Sequence, residues 1–430
     1  MRKTVKTPNL KKNDSKIYAF IEAEERQQAE TLDLIASQNF ASSAVREALT
    51  SVAMNRYSEG YPGKRYYPGN KNIDGFEQTA QERALKLFGL KDNKWGVNVQ
   101  ALSGAQANFA IYAALLEKED IALGMRLAEG GHLSHGHKAS LTGKFFNFIQ
   151  YGLDEHGRIN YSEVEKLARE HKPKIIIAGA SAYSLEVDFA KFGRIAKKYN
   201  ALLVADISHI AGLIVSGAHR SPFPYCDVVM TTTHKTLRGP RGALIFAKYN
   251  SAPGSANNTT VMEVINRSVF PGLQGGPHNN QIAAIAVALH EARSKKFHAY
   301  ANAVVKNAKC LSEELIKLGY VIISGGTENH LMLVDLRNKE ITGNEATIRL
   351  EAVGILANKN TVPGDTNPRD PSGIRFGTPM LTTRGMRLKE MREVARLVDA
   401  ALTAQKEEER KKIRREVRDL AGKFPPPGFE

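Results

Sequence analysis

Short, unbroken apolar runs alternate with helix-patterned segments through the middle of the chain: KIIIA at 174–178, ALLVA at 201–205 and VVM at 228–230. A run with no polar alternation is apolar on both faces, so as a strand it must be covered on both sides, and the intervening helices provide the cover. The pattern predicts an α/β domain built on a mainly parallel sheet. In such sheets a ligand lies beyond the carboxyl ends of the strands. Three of these ends carry chemistry: Ser181 follows one, Asp206 the next and Lys235 the third.

The stretch around the third end, DVVMTTTHKTLRGPRGA at 227–243, reads as strand, loop, strand. A lysine at a strand exit, walled by threonines rather than carboxylates, sits where burial can depress an amine and make it nucleophilic. Taken alone, Lys235 is better read as a solvated surface lysine, and it is the company it keeps that favours the chemical reading. Asp206 adds weight, because a carboxylate ending an apolar run is partly desolvated and needs a cationic partner such as a protonated ring nitrogen.

Glycine-rich and small-residue segments supply the rest. SGAQAN at 103–108 opens a helix, and backbone amides at a helix start bind anions. FPGLQGGP at 270–277 offers further amides without side chains and fits neither the P-loop nor the dinucleotide pattern. AEGGHLSHGHK at 128–138 carries His132, His135 and His137. Their spacing is not that of a zinc helix, which disfavours a metal, whereas one histidine on a glycine-flanked loop can stack on a flat cofactor. NRYSEGYPGKRYYPGNKNID at 55–74 places four tyrosines and Glu59 among glycine turns, which suits a pocket loop better than a linker.

Helical spacing at 16–34, with Ile17, Phe20 and Ile21 apolar, predicts an N-terminal arm. Helices are also expected at 76–89, 109–116, 189–199 and 281–318, and a short strand at 97–102. Beyond 320 the strands YVIISGG and HLMLVDL and the segment SGIRFGTP predict a smaller α+β domain, in which a half-buried Arg375 would pair with a carboxylate, of the chain itself or of a ligand. The expected division is an arm at 1–54, a large domain at 55–290 and a small domain at 291–430. The 250–258 loop reads as a surface insertion.

Composition limits the function classes. Two cysteines, Cys226 and Cys310, cannot build a disulfide framework, no run approaches a membrane span, and the N-terminus lacks an apolar signal core, which together favour the cytoplasm. Lys and Arg number 60 against 45 Asp and Glu, a net +15 that favours anionic ligands. With no nucleic-acid motif present, binding to nucleic acid would be nonspecific at most.

A Schiff-base lysine, an aspartate for a ring nitrogen, a stacking histidine and phosphate loops describe pyridoxal phosphate in an α/β domain. The ordered stretches LIASQNF, YSEGYPGKRYY, SGAQAN, GGHLSHG, SAYS, VADISHIAGL, TTTHKTLRGPRG, FPGLQGGP and SGIRFGTP make the sequence resemble serine hydroxymethyltransferase over nearly its whole length. The resemblance implies the fold of the aspartate-aminotransferase-like (type I) pyridoxal phosphate enzymes, and pyridoxal 5'-phosphate as cofactor with tetrahydrofolate as co-substrate. It implies Lys235 as the Schiff-base residue, Asp206 on the ring nitrogen, His132 on the ring face, and Ser181 and His209 near the phenolic oxygen. It places Ser103 and Gly104 on the phosphate, Gly276 there from a second subunit, and Thr232 and His234 also on the cofactor. Arg375 would take the substrate carboxylate, and Ser37, Tyr57, Glu59 and Tyr67 the serine side-chain site, with Glu59 moving protons. Leu123, Leu127, Gly131 and Asn358 match folate positions. A homodimer or homotetramer is implied.

The sequence departs from the family pattern at Gln38, Ala105 and Glu129. A folate-independent aldolase acting on threonine-like substrates is the alternative within the same chemistry, and a nucleic-acid-binding protein on this scaffold is a more distant one.

Overall fold

The computed structural model describes residues 8–250, 259–367 and 369–428. The expected insertion at 250–258 thus falls, from 251 onward, outside the described residues, as does the start of the basic N-terminus. By internal contacts the chain forms two compact units, Ala44–Ala301 and the described part of Met1–Ser43 with Asn302–Glu430. The N-terminal segment therefore groups with the C-terminal part of the chain, and the second break falls inside the Lys295–Lys317 helix.

The Ala44–Ala301 unit is built on seven strands: β1 Trp95–Asn98, β2 Ile121–Met125, β3 Asn147–Tyr151, β4 Ile175–Gly179, β5 Leu202–Asp206, β6 Val228–Thr232 and β7 Ala243–Lys248. Their spatial order is β1-β7-β6-β5-β4-β2-β3. β2 to β6 pair in parallel, as the unbroken apolar runs require, and β4 and β6 are buried along their whole lengths. β7 alone runs the other way. The reason is local: Thr233 N donates to Gly242 O at 3.1 Å, Gly239 N to Thr233 O at 2.7 Å and Thr233 Oγ1 to Pro240 O at 2.6 Å. A loop that closes on itself returns the chain beside the strand it left, and a parallel neighbour would need a crossover.

Helices cover the sheet. Gly104–Leu115 packs against β6 and β7 with Ala107, Ile111, Tyr112 and Leu115 in one core with Ile177, Val204, Met230 and Ile245. Tyr161–His171 and Phe189–Lys198 pack together, the second started by Asp188, whose side chain accepts from Lys191 N. Lys71–Leu87 packs against Asn279–Ala292. The single helix expected over 281–318 is two, Asn279–Ala292 and Lys295–Lys317. The helix expected from 109 begins at Gly104, so SGAQAN supplies its N-cap and first turn.

The other unit has four antiparallel strands, β8 Val321–Ile322, β9 Leu331–Asp335, β10 Asn358–Asn360 and β11 Gly373–Gly377, in the order β8-β9-β11-β10. Leu32–Asp33 pairs in parallel with Ile355–Leu356, which draws the N-terminal segment into this unit's core. Arg384 completes the tie. Its buried guanidinium donates to the carbonyls of Gln28, Ala29 and Thr31 at the end of the Ser15–Glu30 helix, and to Ala421 and Phe424 at the end of the Glu407–Gly422 helix. The last carbonyls of a helix have no partner within it, and a cation there also meets the negative end of the helix dipole.

Asp33 lies in the same core. Burial pushes its carboxyl up to about 7, against the opposing Ile35 amide and the Arg384 charge. A folded value above the unfolded one means that the stabilising contribution is complete below about 4 and is lost as pH rises to about 7. Asp33→Asn removes this dependence. Urea denaturation at pH 5 and pH 8 is expected to show the variant gaining roughly 2 to 4 kcal/mol on the wild type between the two; equal pH slopes would contradict it.

Candidate active site

The carboxyl ends of β4, β5 and β6 bring together most of the residues singled out from the sequence. Asp206 is the last residue of β5 and lies in register with Gly179, the last of β4. A Cβ on Gly179 would sit 2.8 Å from the Asp206 Cβ, so the small residue makes room for the carboxylate. Asp206 Oδ2 accepts from His135 Nε2 at 3.1 Å and from Asn108 Nδ2 at 3.0 Å, and Oδ1 accepts from Ser208 N at 3.0 Å. Burial drives such a carboxyl upward, but the His135 hydrogen bond and charge and the Ser208 contact outweigh it and hold Asp206 well below the usual range. The site therefore contains a buried anion.

Lys235 stands three residues past β6, with its Nζ 3.0 Å from Thr232 Oγ1. Thr232 N in turn donates to Ser208 Oγ at 3.1 Å, which links the Lys235 strand to the Asp206 strand. His234 is held neutral: burial, then the charges of Lys235 and Arg241, push it down to about 3. His209 is buried in the turn after β5, and its carbonyl accepts from Thr236 Oγ1.

Gly104 meets this group from the helix side, since a Cβ on it would come within 2.7 Å of Thr232 Cγ2. Ser103 is the N-cap, yet its side chain makes no capping bond, and the first turn holds no acidic residue. The helix start is therefore open to an anion. Ala105 and Gln106 are exposed beside it.

The His132 loop is fastened from below. Arg126 donates to Glu129 at 2.8 Å, to Glu163 at 2.9 Å and to the Gln150 carbonyl at 2.8 Å, while Glu129 also accepts from Leu153 N and Glu163 from Gly152 N. Above them, Ser181 N and Ala182 N both donate to Gly130 O, and Gly131 N to Arg126 O. The carboxylate at Glu129 thus belongs to the loop's support. His132 Nδ1 lies 2.6 Å from Ser134 Oγ, and Asn108 Nδ2 lies 2.9 Å from the same oxygen.

The tyrosine loop is held by Arg65, which binds Asp74 at 2.8 Å and Glu77 at 2.6 Å and donates to the carbonyls of Ser58 and Gly60. Tyr57 and Tyr67 meet edge to face at 5.2 Å, and a Cβ on Gly276 would touch the Tyr57 ring at 3.3 Å. Glu59 is half-buried beside Gly275.

In the other unit, Arg375 lies opposite Asn358 in the β10–β11 pairing, and its Nε donates to Asn358 Oδ1 at 3.1 Å. Burial lowers its guanidinium to about 10. Gly377 N donates to Leu34 O, and a Cβ on Gly377 would strike Ala36, so Ser37 is carried to the same strand end. Gln38 is exposed.

One expected contact is withdrawn. Leu123 is fully buried at the centre of β2 between β3 and β4, and its side chain presents no surface to a ligand. Leu127 and Gly131 lie on the His132 loop. Sequence reasoning did not assign His135, Asn108, Ser134 or Arg65. His135 was visible only as one of three nearby histidines, and Asn108 only as the end of SGAQAN.

A buried anionic carboxylate, a lysine one strand away and an open helix start between them define a pyridoxal-phosphate-type site on an α/β scaffold, and the donor set fits that cofactor. A family model described as serine hydroxymethyltransferase matches residues 10–398. A serine hydroxymethyltransferase from Desulfotalea psychrophila is 49% identical over 98% of this chain and 96% of its own length. A relative from Neurospora crassa, named as a mitochondrial serine hydroxymethyltransferase, is 48% identical over 92% of this chain and 75% of its own. The chain belongs to the serine hydroxymethyltransferase family. Its reaction moves the hydroxymethyl group of serine to tetrahydrofolate, giving glycine and 5,10-methylenetetrahydrofolate, with pyridoxal phosphate as cofactor.

Gly131 has a structural duty whatever it binds, because an added Cβ would lie 2.1 Å from the Met125 carbonyl oxygen, a backbone atom that cannot step aside. Gly131→Ala is expected to destabilise this unit by about 1–3 kcal/mol and to weaken cofactor retention with it. Thermal denaturation of the cofactor-free protein measures the first effect; an unchanged midpoint would show that the loop absorbs the methyl group.

Proposed function

We propose the following division of labour among this chain's residues. When bound, pyridoxal phosphate supplies the electron sink that stabilises negative charge at the substrate Cα. Lys235 holds the cofactor covalently, Asp206 holds a proton on its ring nitrogen and His132 covers its face. Ser103, Gly104 and the open amides behind them bind the phosphate, with Gly276 contributed by a second subunit. Ser181 and His209 lie near the phenolic oxygen, and Thr232 and His234 complete the wall. The supporting observation is the junction of Lys235, Thr232, Ser208 and Asp206 across two adjacent strand ends.

Arg375 binds the serine carboxylate, which fixes the Cα–Cβ bond for cleavage. Asn358 accepts from its Nε and orients the guanidinium without neutralising it. Ser37, Tyr57 and Tyr67 line the serine side-chain position. Glu59 takes the proton of the serine hydroxyl as the CH2OH group leaves and handles protons at the folate nitrogens. Leu127, Gly131 and Asn358 contact the folate.

A homodimer, alone or paired into a tetramer, is supported by large side chains left exposed in the single chain. Tyr57, Tyr66 and Tyr67 are 61%, 74% and 45% exposed, and Ile17, Phe20 and Ile21 form an exposed apolar stripe on the Ser15–Glu30 helix. A cytoplasmic location is supported by the two free, buried cysteines. No helix among the described residues is long and apolar enough to cross a membrane.

Serine turnover with and without tetrahydrofolate tests the reading, and equal rates would favour the aldolase alternative. Glu59→Gln is expected to lower kcat by about 10²–10⁴-fold while serine and cofactor binding persist. Lys235→Ala is expected to abolish the visible band of the bound cofactor, near ~420 nm, with the circular dichroism spectrum retained. Normal turnover in either variant would displace that residue from its role.

A further inference from the structure

We infer that Asn108 is a positioning residue that sets hydrogen-bond polarity at two groups together, holding Asp206 as an acceptor and, through Ser134, fixing His132 as the neutral tautomer protonated at Nε2. Asn108 lies one turn into the Gly104–Leu115 helix and is 1% exposed. Its Nδ2 is 3.0 Å from Asp206 Oδ2 and 2.9 Å from Ser134 Oγ.

The direction of every bond follows from the first. A carboxylate only accepts, so the amide must present its nitrogen to Asp206, because the flipped amide would set oxygen against oxygen. The amide nitrogen only donates, so Ser134 Oγ accepts from Asn108. The serine hydrogen is then available to the atom 2.6 Å away, His132 Nδ1. The Ser134 backbone N–H points to that same Nδ1 at 3.1 Å. A ring nitrogen that accepts from two donors carries no proton, which leaves the ring proton on Nε2.

This polarity suits a ring lying on a cationic pyridine. An imidazolium stacked there would set two like charges face to face in a partly desolvated site, whereas a neutral imidazole adds no repulsion. Asn108 thereby couples the group that keeps the cofactor ring charged to the group that must stay uncharged above it. The functional half of the inference rests on the assignment of Asp206 and His132 to the cofactor; the tautomer does not.

The test uses the full-length protein labelled with ¹⁵N-histidine. Long-range ¹H–¹⁵N correlation of the cofactor-free form near neutral pH, with His132 assigned from the His132→Asn spectrum, is expected to show its Nδ1 unprotonated. Asn108→Asp keeps the shape, removes both donors and places a carboxylate against Asp206. It is expected to lose the tautomer preference and to weaken pyridoxal phosphate binding, read by fluorescence titration, by about 10- to 150-fold, the range for a hydrogen bond to a charged group. Asn108→Ala is expected to move both readouts the same way. A proton on His132 Nδ1 in the wild type, or Asn108→Asp binding the cofactor as tightly as the wild type, would overturn the inference. If Asn108→Asp fails to fold, the wild-type tautomer and Asn108→Ala decide. Undiminished cofactor binding by both His132→Ala and Asp206→Ala would sink the cofactor assignment instead, whatever the tautomer proves to be.

Discussion

The arrangement at the strand ends depends on the cost of burying the Asp206 charge. An ionised carboxylate taken out of water must be met by hydrogen bonds or it takes up a proton. Here the partners come from three separate segments: His135 from the histidine loop, Asn108 from the helix after β1 and Ser208 from the turn after β5. Satisfying one anion therefore draws together the elements that carry Ser103, His132 and, through Ser208 and Thr232, Lys235.

A second buried charge does the same for the tyrosine loop. Glu77 is buried on the Lys71–Leu87 helix, and burial raises its carboxyl even beside Arg65. Arg65 and Gln100 satisfy it, and both also donate to the Gly60 carbonyl. A buried pair of this kind is weak evidence for stability but fixes geometry, since removing one partner strands the other. The loop carrying Tyr57, Glu59 and Tyr67 thus has a defined path although Tyr57, Tyr66 and Tyr67 face outward.

What could be read from the sequence follows from how local each signal is. Unbroken apolar runs marked β4, β5 and β6 because strand burial is written into adjacent residues, and Asp206, Ser181 and Lys235 stood out as polar interruptions at their ends. The start of the Gly104–Leu115 helix was placed late, at 109, because small residues suit the approach to a helix and its first turn alike. The alliance of residues 32–33 with 355–356 was invisible, since a two-strand pairing more than 300 residues apart leaves no local period. Asn108 and His135 were missed for a related reason: each is defined by a partner distant in sequence, and neither residue type points to one chemistry by itself.

The departures from the family pattern show the same limit from the other side. Glu129 puts a carboxylate near the cofactor loop, and its role was not legible from the sequence. In the folded chain it is divided between Arg126 and the Leu153 amide, while Glu163 takes the other side of the same guanidinium and the Gly152 amide. Each of these groups is roughly a quarter to a third exposed, so the ion pairs alone contribute little, about 0–1 kcal/mol each. Their effect is directional: the side-chain ends of Glu129 and Arg126 fill the space that Gly152 leaves, and a Cβ there would meet both near 2 Å and oblige them to shift. The carboxylate at this departure is accounted for by the support beneath the loop, while Asp206 is the buried anion at the strand ends.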